Sequence, residues 1–372
     1  MMKESNKERE GLPQEHREQP AGGNPGMLIP EVPTGERKIE HVRLCLEEEV
    51  GGRGITTGLE RYRFRHHALP ELDFEQVELS ASFLSHRMRT PLLISSMTGG
   101  SRATGEINQR LAAAAQRRGW MLGVGSVRAA VEQEDLAATF RVRESAPDIP
   151  VIANLGAVQL NYGFGADQCR RAVDIAGADM LVLHLNSLQE VFQPEGNLSF
   201  KGLLKQIEQL CGALEVPVGI KEVGWGIDAE VAVQLVEAGA SFIDVAGAGG
   251  TSWSQVEKFR SPDPVRKAAA EAFADWGNST ADCIAEVRAA LPQTELIGSG
   301  GLTSGVDAAK TIALGADIAG FGRGLLGSAV ASEEALDARL AQVELELSIA
   351  MFGIGAATIE ELQGHKRLIR LG

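Results

Sequence analysis

Residues 176–190, AGADMLVLHLNSLQE, contain the clearest indication of the fold. The apolar run Met180–His184 is five residues long, which is typical of a strand buried on both faces. A Gly-Ala pair precedes it, and glycine commonly ends the helix before such a strand. The polar residues Asn186, Gln189 and Glu190 follow it. This order of helix end, buried strand and polar loop predicts a parallel sheet covered by helices.

Short apolar runs of this kind occur eight times along the chain. Each run is short, apolar and bounded by Gly, Asn or Thr, and most gaps hold a helix-like segment. Eight strand–helix repeats that close on themselves give a (β/α)8 TIM barrel, an α/β fold. The alternative is an open doubly wound sheet, but its Gly-x-Gly-x-x-Gly turn is absent after the first run. The predicted strands are 92–95, 121–124, 151–154, 180–184, 218–221, 242–245, 295–298 and 318–321.

Two further features concern the organisation of the chain. Residues 1–33 are polar and rich in Gly and Pro, so we expect a disordered N-terminal leader before a single catalytic barrel domain at 34–372. The gap between residues 245 and 295 is too long for one helix and contains Trp253 and Trp276. We therefore expect an insertion there that contributes to the active site.

The composition excludes several classes of protein. The 372 residues include 36 Lys and Arg against 50 Asp and Glu, and the net charge of −14 argues against a broad nucleic-acid or membrane surface. The four cysteines form no CxxC pair, so neither a zinc ribbon nor a disulfide framework is predicted. No apolar run reaches the ~18 residues of a membrane span, and no signal peptide is apparent. We therefore expect a cytoplasmic protein.

Glycines after the last two predicted strands indicate a phosphate site. In a barrel the active site lies at the C-terminal ends of the strands, often with a phosphate bound after strands seven and eight. Gly300-Gly301 and Gly322-Arg323 occupy these positions. Tight turns alone would also explain the glycines.

Lys221 ends the fifth predicted strand, where its ammonium would point into the barrel mouth. It could pair with Glu222 or another carboxylate at the rim, form a Schiff base, or face an electron-rich cofactor. Ser96, Thr98 and Asn154 offer hydroxyl and amide groups suited to the edge of a flat heterocycle. Together with the phosphate site, these residues indicate FMN.

The fourth strand ends in a polar cluster of His184, Asn186, Gln189 and Glu190. Glu190 is its only acid and is the best candidate for a hard cation such as Mg²⁺. A satisfied core histidine is the alternative for His184. Local positive charge for an anionic substrate would come from Arg37, Lys38 and Arg128, of which the first two could equally be surface charges.

Several segments, in order, resemble the motif series of the type 2, FMN-dependent isopentenyl-diphosphate delta-isomerases. They are RKIEH, SSMTGG, GSVRAA, HLNSLQE with PEGNLSFKG, IKEVGWG, DVAGAGGTSW and SGGLTSG, from about residue 35 to beyond residue 325. The resemblance implies an isomerase of isoprenoid biosynthesis that interconverts isopentenyl and dimethylallyl diphosphate. It also implies Mg²⁺, NADPH as reductant, and a homo-oligomer, either a tetramer or an octamer.

The resemblance assigns roles to individual residues. Substrate would be bound by Arg37, Lys38, Ser126, Arg128 and Gln189, and Mg²⁺ by Glu190; Gln189, His184 and Asn186 would be the catalytic residues. FMN would be bound by Ser96, Met97, Thr98, Ser126, Asn154, Lys221, Thr251, Gly300, Gly301, Gly322 and Arg323. Two departures from the family stand out, Val127 in place of a usual Gln and GFGRG at 320–324, and we expect Val127 to alter the substrate pocket slightly.

The implied reaction moves a double bond by adding one proton and removing another, with no net redox change. A reduced flavin would stabilise the carbocation-like state and supply the proton through N5, with Lys221 stabilising the anionic ring. The main alternative is an FMN-dependent 2-hydroxy-acid oxidase, which needs a histidine base, commonly before Gly-Gly. None of the seven histidines precedes Gly-Gly. A catalytically inactive phosphate-binding barrel is a third possibility.

Overall fold

The computed structural model describes residues 34–371, so the predicted leader at 1–33 lies outside the described residues. Eight parallel strands form a closed barrel, in which the last strand pairs with the first. This confirms the predicted (β/α)8 fold. The barrel strands are β1 Leu92–Ile94, β2 Met121–Gly123, β3 Val151–Gly156, β4 Met180–His184, β5 Val218–Lys221, β6 Phe242–Asp244, β7 Glu295–Ser299 and β8 Ile318–Phe321.

A cluster of apolar side chains fills the half of the barrel at the N-terminal ends of the strands. Inward-facing residues such as Met121, Met180 and Ile297 pack in one buried cluster with Phe83. Phe83 belongs to a hairpin of strands Ala81–Phe83 and His86–Met88. The centroid of its ring lies 5.4 Å from the ring centroid of Phe242. Because this half has no space for polar groups, the chemistry of the barrel is confined to the C-terminal ends of the strands.

The helices surround the barrel and follow the predicted alternation with strands. Glycine ends the helix before β4, as the sequence predicts, since Gly177 has a φ of 58°. The helices are α1 Thr34–Glu47, α2 Arg102–Arg118, α3 Arg128–Glu132, α4 Ala166–Ala176, α5 Ser187–Phe192, α6 Leu203–Cys211, α7 Ala229–Glu237, α8 Trp253–Arg260, α9 Pro264–Glu271, α10 Thr280–Ala290, α11 Gly305–Ala313, α12 Arg323–Ala331, α13 Glu333–Phe352 and α14 Ile359–Leu362.

Short elements complete the described chain. Strands Tyr62–Phe64 and Leu368–Arg370 pair with each other outside the barrel. Four 3-10 helices lie at Leu59–Arg61, Phe74–Gln76, Glu134–Thr139 and Ala157–Tyr162. None of the helices between residues 34 and 371 is both long and apolar enough to cross a membrane.

The long gap between β6 and β7 contains three helices, α8, α9 and α10. Residues Thr251 and Trp253, at the start of this insertion, line the cavity at the barrel mouth. The insertion therefore contributes residues to the cavity, as expected.

Candidate active site

A cavity of about 390 Å³ opens at the C-terminal ends of the barrel strands. Its volume is within the range of pockets that bind small ligands and cofactors. Every site residue predicted from the sequence lies on its wall, and the individual roles stay predictions. These residues are Arg37, Lys38, Ser96, Met97, Thr98, Ser126, Arg128, Asn154, His184, Asn186, Gln189, Glu190, Lys221, Thr251, Gly300, Gly301, Gly322 and Arg323.

One end of the cavity is lined by close-packed glycine backbone. A Cβ on Gly300, whose φ is +112°, would lie 2.2 Å from the carbonyl oxygen of Gly247. A Cβ on Gly250 would lie 2.7 Å from the backbone nitrogen of Gly301. The loops after β6 and β7 therefore fit together only without side chains. The N-terminus of α12 adds Arg323, so backbone and guanidinium N–H groups are available for an anion.

Polar side chains from neighbouring strands also line the cavity. The hydroxyl of Thr98 is buried and has no hydrogen-bond partner among the described residues. The Nδ1 of His184 lies 2.7 Å from Oδ1 of Asn154. Burial, with Lys221 and Lys38 nearby, lowers the pKa of His184 to about 3, so its ring is neutral at pH 7.

Lys221 is 8% exposed, and its ammonium donates to the carbonyl oxygen of Glu222 at 2.5 Å. The carboxylate of Glu222 instead accepts four backbone N–H groups, from residues 223 to 226. No carboxylate oxygen in the described part of the chain lies within 4.0 Å of the Lys221 ammonium. The side-chain pair between Lys221 and Glu222 is therefore not formed, and the Lys221 ammonium is available to the cavity.

Glu190 is buried beside the other polar residues of the β4 cluster. Its Oε1 accepts from the side-chain amide of Asn186 at 2.8 Å, and its Oε2 accepts from the backbone N–H of Asn197. Among residues 34–371, no three His, Cys, Asp or Glu side chains form a ready-made metal site. This donor set still suits Mg²⁺, which commonly uses one or two carboxylates together with substrate phosphates and water.

Helix α1 carries two basic residues to the cavity wall. Arg37 pairs with Glu195 at 3.4 Å. Lys38 is half-buried, and burial followed by repulsion from Arg37 lowers its pKa to about 8. Both side chains line the cavity, and their role as substrate ligands stays a prediction.

The sequence did not reveal a buried network that fixes α1 against α8. Glu257 accepts at Oε1 from His41, 3.1 Å away, and from the amide of Gln189 at 3.3 Å. Its Oε2 accepts from Arg260 at 2.6 Å. Glu257 lies on a short helix whose sequence is typical of a surface helix, and its partners are distant in the chain. No local motif could have identified it.

Val127 lies behind the cavity wall rather than on it. Its side chain is fully buried and is not part of the cavity wall, while its N–H donates to the carbonyl oxygen of Asn154 at 2.8 Å. Both of its neighbours, Ser126 and Arg128, line the cavity, and the expectation that Val127 slightly alters the substrate pocket stays a prediction.

Known proteins resemble this chain in sequence and fold. Residues 185–369 match the family described as FMN-dependent dehydrogenase. The chain is 54% identical to an isopentenyl-diphosphate delta-isomerase of Oceanobacillus iheyensis, with 91% of this chain and 97% of that protein aligned. It is 50% identical to the protein of the same name from Nostoc, with 94% of this chain and 99% of that protein aligned.

Solved structures share the fold at low sequence identity. A mandelate oxidase variant with an FMN adduct has a TM-score of 0.62 at 21% identity, covering 90% of this chain and 99% of that one. A flavocytochrome b2 variant with pyruvate bound has a TM-score of 0.66 at 17% identity, covering 88% of this chain and 82% of that one. At these identities the similarity shows the common barrel alone.

Proposed function

The chain belongs to the isopentenyl-diphosphate delta-isomerase family, and from this premise we propose that it interconverts isopentenyl and dimethylallyl diphosphate using reduced FMN and Mg²⁺. The observation that carries the proposal is the composition of the cavity. One wall combines a glycine-lined end with a buried lysine, and the other combines a buried carboxylate with basic residues of α1.

The residues of the first wall fit FMN. The bare backbone at Gly300 and Gly301 suits the phosphate, and the unpartnered hydroxyl of Thr98 and the ammonium of Lys221 suit the edge of a flat, electron-rich ring. When bound in its reduced form, FMN would supply an electron-rich surface and a transferable proton next to the alkene.

The residues around that ring determine the local charge. Lys221 would favour an anionic ring because its ammonium is buried and has no carboxylate partner among the described residues. His184 is neutral, since its pKa is about 3, and therefore does not repel a developing carbocation. An anionic ring beside an uncharged histidine would stabilise positive charge that develops on the substrate in the transition state.

The second wall would hold the diphosphate. Glu190 would bind Mg²⁺, and Arg37, Lys38 and Arg128 would contact the phosphate oxygens. Fixing the diphosphate at this end restricts where the alkene lies, which lowers the entropic cost of reaching the transition state.

Gln189 is the proposed assistant for proton transfer at the second carbon. Its amide nitrogen donates to Glu257 at 3.3 Å, and its carbonyl oxygen is 3.5 Å from the amide of Asn186. These contacts fix the orientation of the amide at the cavity wall.

A conversion assay on the purified protein tests the proposal. We expect a flavin absorption spectrum and interconversion of the two diphosphates that requires FMN, a reductant and Mg²⁺. A yellow protein that is reduced by a 2-hydroxy acid but does not convert isopentenyl diphosphate would refute the isomerase and favour the oxidase. Absence of flavin binding, even after FMN is added, would refute both.

Three further properties are proposed from family membership alone. They are NADPH as the reductant, a cytoplasmic location and a homo-oligomeric state, either a tetramer or an octamer. Anaerobic reduction by NADPH and light scattering in solution test the first and the third.

A further inference from the structure

The segment after α5, residues 193–199, packs directly over Glu190. A Cβ on Gly196 would lie 1.8 Å from the carbonyl oxygen of Glu190, so only glycine allows this approach. The next residue, Asn197, donates its backbone N–H to Oε2 of Glu190. One oxygen of the candidate cation ligand is thus held by the main chain of this segment.

The side chain of Asn197 connects two other residues of the cavity wall. Its Oδ1 accepts from Nη1 of Arg128 at 3.0 Å and from Nε2 of Gln159 at 2.9 Å. Asn197 therefore contacts the proposed cation ligand through its backbone and a proposed diphosphate ligand through its side chain. A shift of Asn197 would therefore move both Glu190 and Arg128.

Two buried amide oxygens on the same wall have no partner in the described chain. Gln159 is 3% exposed; its nitrogen is engaged by Asn197, and its Oε1 accepts no hydrogen bond. Asn186 is arranged in the same way, with its nitrogen on Glu190 and its Oδ1 unpartnered. An unsatisfied buried polar group costs ~1–3 kcal/mol, so such oxygens indicate a bound group in the working state.

The chemistry of these oxygens identifies the class of that group. Amide carbonyls accept hydrogen bonds or bind hard cations, and they carry no proton to donate. Asn186 lies beside the Glu190 carboxylate, and Gln159 is joined to it through Asn197. These oxygens therefore suit Mg²⁺ with its bound waters better than a second anion, because phosphate oxygens would be repelled.

We propose that the amide oxygens of Gln159 and Asn186 complete the hydrated-cation site of Glu190, and that Asn197 is the positioning residue that couples this site to Arg128. The inference rests on the proposed function, in which Glu190 binds Mg²⁺. Neither Gln159 nor Asn197 was identified from the sequence, because both act through contacts between segments that are distant in the chain.

Titration of Mn²⁺ into the FMN-loaded protein without substrate tests this inference, with the EPR signal of free Mn²⁺ as the readout. Loss of an outer-shell partner typically weakens metal binding ~10–100-fold, so we expect Asn197→Ala to raise the Mn²⁺ Kd by that factor. Gln159→Leu should raise it about tenfold. In both variants the FMN Kd, measured by flavin fluorescence, should change less than about twofold, since neither side chain lies at the proposed phosphate or ring wall.

Asn161→Ala is the matched control. Asn161 donates to the carbonyl oxygens of Ser199 and Lys201, so it holds the same segment without contacting Glu190, Arg128 or Gln159. We expect parent-like Mn²⁺ affinity in this variant. An equal loss in Asn161→Ala and Asn197→Ala would show that the segment acts only as a scaffold, which overturns the positioning role.

The remaining outcomes separate this inference from the proposed function. If Glu190→Gln abolishes Mn²⁺ binding while Asn197→Ala and Gln159→Leu bind as the parent does, the inference is wrong and the Glu190 site stands. If Glu190→Gln binds Mn²⁺ normally, or the parent protein binds none, the cation assignment of the proposed function is itself wrong. Should Asn197→Ala not fold, Gln159→Leu alone decides the matter.

Discussion

The substitution Glu257→Gln should destabilise the folded protein measurably. The Glu257 carboxylate is 1% exposed and accepts hydrogen bonds from Arg260 on one oxygen and from His41 and Gln189 on the other. Gln keeps the shape but loses the charge, and it places an amide N–H against at least one existing donor. The substitution therefore removes the anion at the centre of the contact between α1 and α8.

The size of the loss in the free energy of unfolding depends on which counter-ions Arg260 retains. Removing one member of a buried ion pair typically costs ~3–5 kcal/mol, since the other charge is left uncompensated. Arg260 would retain Glu40 at 3.0 Å and Glu195 at 3.1 Å, so it would not be left without a counter-ion. We therefore expect a loss of about 2–3 kcal/mol in the free energy of unfolding, below the full penalty for an isolated pair.

The effect should depend on pH in one direction. Burial raises the pKa of Glu257, but hydrogen bonds and charge from His41 and Arg260 outweigh burial, and the net pKa lies below the usual value. A carboxylate with a lowered folded pKa stabilises the protein above its unfolded pKa of ~4.3 and loses this contribution as the pH falls through the folded value. The difference between parent and variant should be constant from about pH 6 to 8 and shrink below about pH 4.

Urea unfolding of the parent and the variant, followed by circular dichroism, measures both effects. Glu195→Gln is the matched control, because Glu195 bonds the same arginine but is 25% exposed, and we expect it to cost about 1 kcal/mol or less. Ordinary surface substitutions change the free energy of unfolding by about 0.5 kcal/mol or less. If Glu257→Gln changes it by no more than this, the network does not stabilise the protein. A difference that grows as the pH is lowered would contradict the assigned direction of the pKa shift.

Three further predictions concern the cavity. Glu190→Gln should lower Mg²⁺-dependent turnover by ~10–100-fold in a Mg²⁺ titration and leave the FMN Kd nearly unchanged; loss of flavin would assign Glu190 to the fold instead. Gly300→Ala should weaken FMN binding at least about tenfold, since backbone strain alone costs ~1–3 kcal/mol, whereas Gly202→Ala, at a φ of +77° with open space, should not. Because the pKa of Lys38 is about 8, its charge is lost as the pH rises through that value. The KM for the diphosphate should then rise about tenfold between about pH 7 and pH 9, as loss of a ~1.4 kcal/mol contact implies, and Lys38→Arg should abolish this rise.

The barrel could be predicted because its strands are local patterns. Each strand is an apolar run buried on both faces, so its position depends on a few consecutive residues. The predicted runs at 180–184, 218–221 and 318–321 coincide with β4, β5 and β8. The run at 151–154 was too short, because β3 continues through Leu155 to Gly156 along the cavity wall.

The wall residues could be predicted for a related reason. The C-terminal ends of all eight strands meet at one end of a closed barrel, so polar residues after different strands must come together. The fold alone therefore brings Asn154 next to His184, at 2.7 Å.

The connections across the mouth could not be predicted. His41 and Glu257 are separated by 216 positions, and Arg128 and Asn197 by 69. Each of these contacts depends on how a loop or terminal helix packs on the finished barrel. A single sequence gives no periodic signal for such packing.

The likeness to 2-hydroxy-acid oxidising enzymes is confined to the barrel, and the histidines of the cavity wall show why the chemistry need not be shared. Oxidation of a 2-hydroxy acid needs a base whose pKa is near the working pH. Two histidines of the described chain line the cavity, and the pKa of each lies below the usual value. Burial, with Lys221 and Lys38 nearby, lowers the pKa of His184 to about 3, and burial also lowers the pKa of His41, whose Nε2 is engaged by Glu257. Uncharged histidines suit the proposed isomerase, because they do not repel a developing carbocation. The loops and α1 thus decide the reaction on a barrel that other enzymes use differently.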